Sequence, residues 1–221
     1  MKAGATGRPN LDEVREYQVT RLNHALRRPG VWGGEAALRL LMDAVAFVDG
    51  LDEVWQAECE QLRARGAFNS LGVHGAFSEI LPGYRDDGAV ASVYADIAWR
   101  HGWLKVDRTL SGDDFQRLRD EASRWCAQDR YLDEALVELG APAVLLGGSN
   151  PCYPKTLAYA ANGATGLICL HFASTCDWKK TTQPQPESPP VLLAIRHGEG
   201  AFADTFTLTP TGSTYRYKAD G

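Results

Sequence analysis

The chain has 221 residues, 44% hydrophobic and 23% charged, which is enough apolar matter for a buried core and excludes a wholly disordered chain. A net charge of −5 and a pI of about 5.5 exclude the broad basic field that drives nucleic-acid binding. No apolar run is long enough to span a bilayer, and the first residues carry no apolar signal-peptide core, so a cytoplasmic protein with no membrane contact is expected.

Residues 1–10 read as a flexible lead and 11–221 as a single α+β domain, helical over 11–140 and sheet-forming over 141–221. Leu11, Val14, Val19, Leu22 and Leu26 fall on one helical stripe that Arg28-Pro29-Gly30 ends. A second helical region runs from Gly34 to Arg65; Asp49-Gly50 divides it, and Gly66 is available for a left-handed C-cap. Residues 66–86, rich in Gly, Ser, Asn and Pro, read as a long functional or mobile connection. Val90, Val93, Tyr94, Ile97 and Ala98 then predict a helix from Ala89 to His101, closed by Gly102. Ser111, with Asp114 three residues on, opens another that carries Phe115, Leu118, Ala122 and Trp125. A short helix from Tyr131 to Leu139 ends at Gly140.

Beyond Gly140 the pattern changes. Ala143 to Leu146 is a short apolar run stopped by Gly147-Gly148, and it predicts a buried strand. A helix from Pro154 to Asn162 is expected next, then strands over Leu167 to Phe172, Val191 to Arg196 and Phe202 to Leu208, with a fifth over Thr214 to Tyr217. The proline-rich stretch before Val191 reads as an extended loop. The fold class is therefore α+β, with a helical N-terminal two-thirds packed on one face of a mixed, mainly antiparallel C-terminal sheet of about four to five strands.

Two local constellations carry chemistry. Gly147, Gly148, Ser149, Asn150 and Lys155 surround a strand end, where glycines let backbone approach a ligand and Lys155 adds a charge. The spacing is not that of a P-loop and two prolines remove donors, so a tight turn with local Ser149 and Asn150 bonds is the plainer reading. The second constellation is Cys152, at the expected helix start, with His171 on the following strand. A helix N-terminus lowers a thiol's pKa, and an imidazole within reach takes its proton; His197 or Asp177 is available to orient the ring. A half-buried thiol beside a structural histidine accounts for the same residues. The other cysteines, Cys59, Cys126, Cys169 and Cys176, make the count odd with no CxxC pair, and all five are expected as free thiols. The helix around Asp96, Arg100 and His101 offers an exposed Asp96–Arg100 ion pair or a pocket wall under the Asn69-to-Arg85 loop; a packed helix whose aromatics fill the core, with His101 near its C-terminus, is the plainer reading.

Cysteine at a helix start followed by histidine on a strand resembles the catalytic core of papain-like and NlpC/P60-like cysteine hydrolases, over residues 141–200. The resemblance implies thioester formation at Cys152 and base work at His171. Against it, the absence of a catalytic signature points to a non-catalytic protein that binds a protein partner or a small ligand. Neither reading calls for a metal or a cofactor, since His74, His101, His171 and His197 lack ligand spacing.

Overall fold

The computed structural model describes residues 9–176 and 186–217. Among these residues, ten α-helices, most of them N-terminal, pack with one antiparallel sheet of five strands. The helices are α1 (Leu11–Arg27), α2 (Pro29–Trp32), α3 (Gly34–Asp49), α4 (Asp52–Ala64), α5 (Gly72–Ile80), α6 (Asp87–Arg100), α7 (Gly112–Asp120), α8 (Ala122–Trp125), α9 (Leu132–Leu139) and α10 (Pro210–Tyr217). The strands are β1 (Val144–Leu146), β2 (Lys155–Tyr159), β3 (Ile168–Ala173), β4 (Val191–Arg196) and β5 (Phe206–Leu208), and they meander in sequence order. Residues 1–8 of the expected lead, and Asp177, lie outside the described residues.

The central strands are buried along almost their whole length because helices cover both faces of the sheet. Alternation sorts their side chains between two cores. Ala158, Cys169, Ala173 and Ala194 face the core built on α1 and α3–α6. Leu157, Tyr159, Ile168, Leu170, Phe172, Leu192 and Ile195 face Leu118, Ala122, Trp125 and Ala135 of α7–α9. Helices therefore lie on both faces, not on one as the sequence suggested. The first face is lined by small residues because α6 lies close against it. Gly88 to Ala98 of that helix are all buried, and a Cβ at Gly88 would stand 2.8 Å from the Leu146 carbonyl oxygen. The alternation slips once, at a bulge where His171 pairs with Ala194 and Phe172 with Leu192, so Leu193 and Ala194 both serve the first core.

Four expected elements differ, the first being the fourth strand, which begins only at Phe206 because Phe202–Thr205 forms a 3-10 turn. The segment read as a helix from Pro154 is strand β2; buried on both faces, it shows no two-residue period, and Thr156 and Tyr159 suit a strand. With β2 a strand, β1–β2 and β2–β3 are successive antiparallel hairpins. The fifth strand expected at Thr214 is helix α10, started by Thr209, whose Oγ1 accepts from Gly212 N at 3.0 Å, with Pro210 in the first turn. The long connection over 66–86 contains α5, whose first amides, Val73 N and His74 N, donate to the Glu35 carboxylate at 2.8 and 3.1 Å.

Candidate functional site

The β1–β2 loop closes on itself. Asn150 accepts from Cys152 N through its side chain (2.9 Å) and from Tyr153 N through its carbonyl (3.2 Å). Lys155 is buried, and its ammonium donates to the Asn150 and Tyr153 carbonyls, so its charge is spent on its own loop. Gly147 and Gly148 take positive φ, and Gly147 N donates to the Arg27 carbonyl at 3.2 Å. Ser149 lines a shallow apolar groove beside Leu132, Leu136 and Leu145. This is a tight turn held by Asn150, as in the plainer reading, although among the described residues Ser149 makes no local bond.

Cys152 is not a free thiol: its sulfur is bonded to that of Cys176, which ties the β1–β2 loop to the end of β3. Cys176 is therefore no free thiol either, whereas Cys59, Cys126 and Cys169 carry free thiols as expected. Cys152 also precedes a strand, so no helix dipole acts on it. A disulfide sulfur has no thiolate to attack with.

His171 sits opposite Thr156 in the sheet and is wholly buried. Thr156 Oγ1 lies 3.0 Å from both Asp86 Oδ2 and His171 Nδ1. The carboxylate takes the hydroxyl proton, so Oγ1 must accept from Nδ1–H, which fixes the tautomer. Nε2 then holds a lone pair with no partner among the described residues, and the ring packs against Phe77 and Phe206. Burial, reinforced by Arg196, holds the imidazole pKa well below its ordinary value. The structure thus sets His171 against Thr156 as a neutral core residue.

That arrangement has a consequence for stability. Between the depressed folded pKa and the ordinary value near ~6.5, the unfolded chain binds a proton that the folded chain refuses. Stability therefore falls as pH falls through that window, by at most about 1.4 kcal/mol per pH unit. Half-buried His197, lowered by burial and by Arg119 and Arg196, acts in the same direction. Urea unfolding at neutral pH and one to two units lower should show this slope, and His171→Gln should reduce it. An equal slope in both proteins would contradict the assignment.

The third residue of the proposed catalytic set, His197, belongs elsewhere. It follows β4 and lines a cleft of about 530 Å³. The other walls come from Arg65 after α4, Asp96 and Arg100 on α6, Phe115 and Arg119 on α7, and the 161–168 turn between β2 and β3. Arg100 is engaged by Glu58 (2.6 Å) and Asp96 (3.5 Å). Asp96 in turn accepts from Leu167 N at 2.7 Å and lies 3.9 Å from buried Arg196. Glu58 also meets His101 at 3.0 Å. The plainer reading of this helix holds over its buried run from Gly88 to Ala98; Asp96 and Arg100 do pair, and both line a cleft, although not one under residues 69–85.

Arg65 and Arg119 differ from their neighbours. Among the described residues neither side chain makes a hydrogen bond or an ion pair. Burial, with repulsion from Arg196 and Arg100, lowers the pKa of the Arg65 guanidinium, yet arginine stays charged at neutral pH. His197 Nδ1 is buried without a partner among the described residues. Sequence reasoning reached Asp96, Arg100 and His197 but passed over Arg65, Phe115 and Arg119 as helix residues. No spacing signals them, because five separate segments bring the walls together. Among the described residues, no group of three or more His, Cys, Asp or Glu side chains is placed to hold a metal ion, and no helix is long and apolar enough to cross a membrane.

No known protein family, no curated protein and no solved structure matches this chain.

Proposed function

We propose that this protein binds a small anionic ligand in the Arg65–Arg119 cleft and does not transform it. The observation that carries the reading is the pair of guanidiniums without partners on the walls of one concave site. Arg65 is partly desolvated, and its nearest carboxylates, Asp96 and Glu58, are committed to other cations; Arg119 faces the same cleft from an exposed position, and an anion that fills the cleft answers both. Binding is favoured over turnover because, among the described residues of the cleft, no hydroxyl or thiol is hydrogen-bonded to His197. The cysteine-hydrolase alternative gains nothing from this geometry, since Cys152 is oxidised and His171 is closed inside the core. The disulfide also favours a compartment that keeps cystines oxidised over the cytoplasm expected from the sequence.

Calorimetric titration with inorganic phosphate and with benzoate tests the reading. Saturable binding of at least one anion is expected, weakened tenfold or more by Arg65→Gln and by Arg119→Gln, in line with the roughly 1.5–3 kcal/mol of a hydrogen bond to a charged group. Affinities unchanged in both variants would remove the proposal.

A further inference from the structure

We propose that the ligand class is an organic phosphomonoester, recognised as a dianion; this rests on the anion-binding reading above. Three observations lead there.

The first is charge. Asp96 is shared between Arg100 and Arg196, and Glu58 between Arg100 and His101, so those cations are already answered. Arg65 and Arg119 are left over. A carboxylate or sulfate ester brings one negative charge, whereas a phosphomonoester brings close to two at neutral pH. A dianion offers each guanidinium a full charge, where a monoanion leaves the two to share one with Glu199, the remaining carboxylate on these walls.

The second is the supply of further donors. Among the described residues the amides of Gly163, Thr165 and Gly166 make no backbone hydrogen bond, while the neighbouring Ala164 N and Leu167 N are used. All three residues line the cleft, and Gly163 takes a φ of +80°. A glycine-containing turn with unused amides is a concave donor surface of the kind that holds phosphate oxygens. A phosphate monoester has three terminal oxygens to spread over two arginines and such a turn; a carboxylate has two.

The third is space. A second chamber of about 590 Å³ shares Arg65, Arg100 and Glu199 with the first and adds Leu62, Ala64 and Ala201 to its walls. A phosphate held at Arg65 therefore has room for an uncharged organic body beside it, either in that chamber or against Phe115. An ester uses that volume, and inorganic phosphate does not.

Four probes separate these points: phenyl phosphate, phenyl sulfate, benzoate and inorganic phosphate, each titrated into the full chain at slightly alkaline pH. Phenyl phosphate should bind at least about tenfold more tightly than each of the others. Arg119→Gln, a change at an exposed position, should cut its advantage over phenyl sulfate to within about threefold, with an unchanged circular dichroism spectrum. If phenyl sulfate or benzoate binds as tightly as phenyl phosphate, the dianion assignment is overturned while the anion cleft stands. If inorganic phosphate matches phenyl phosphate, the organic body is overturned. Should none bind at concentrations up to about 10 mM, the cleft reading falls and this inference with it.

Discussion

Replacing Asp86 with alanine should destabilise the protein by about 3–5 kcal/mol. The carboxylate accepts from Gly88 N (2.8 Å) and Ala89 N (3.0 Å) as the N-cap of α6, from Tyr84 Oη (2.9 Å), and from Thr156 Oγ1 on β2 (3.0 Å). It is the joint between the central helix and the sheet. Burial raises its pKa, and its four donors pull the other way. Alanine leaves those donors buried and unpaired, and frees Thr156 from the geometry that orients His171. Each kcal/mol moves the midpoint of a domain this size by about 2–4 °C, so the melting temperature should fall by roughly ten degrees. Asp86→Asn keeps one acceptor oxygen and should cost less. A loss below about 1 kcal/mol for the alanine variant would show that water or rearrangement satisfies the donors.

The disulfide gives the second large effect. Cys152 and Cys176 close a loop with a sequence separation of 24, and the chain-entropy account assigns a bridge of that span about 3 kcal/mol. The paired Cys152→Ser, Cys176→Ser variant should melt roughly 6–12 °C lower than the oxidised protein. Thiol titration gives an independent check. Unfolded without reductant, the protein should show three thiols, those of Cys59, Cys126 and Cys169; with reductant it should show five. In the native state these thiols should react slowly, since burial raises the pKa of all three and pushes Cys126 up to about 12. Five thiols without reductant would deny the bridge.

The helical half was legible where local chemistry decides. The Val19, Leu22 and Leu26 part of the α1 stripe, the break at Gly50, the Ser111 cap and the stops at Gly66, Gly102 and Gly140 appear where the sequence placed them, while Leu11 of that stripe is exposed. Helix α5 was hidden although Val73, Ala76, Phe77 and Ile80 have helical spacing, because Gly72 and Gly75 read as loop and its cap, Glu35, lies in a distant helix. Strand β2 was misread because Pro154 resembles a helix start and double burial erased the period. The second helical layer was beyond reach for a different reason: a sheet buried on both faces has no polar side to announce it. The cleft was half legible. Its histidine and its Asp96–Arg100 pair stood out, but unpaired arginines are visible only once partners have been assigned in space.

The most direct measurement is side-chain NMR of the arginine Nε–Hε groups during titration with phenyl phosphate. The anion-cleft account predicts that the signals of Arg65 and Arg119 move together and saturate with one dissociation constant, while that of Arg15, held by Asp49 at 2.6 Å on the α1–α3 contact, stays in place. Movement confined to other arginines, or none at all, would contradict it.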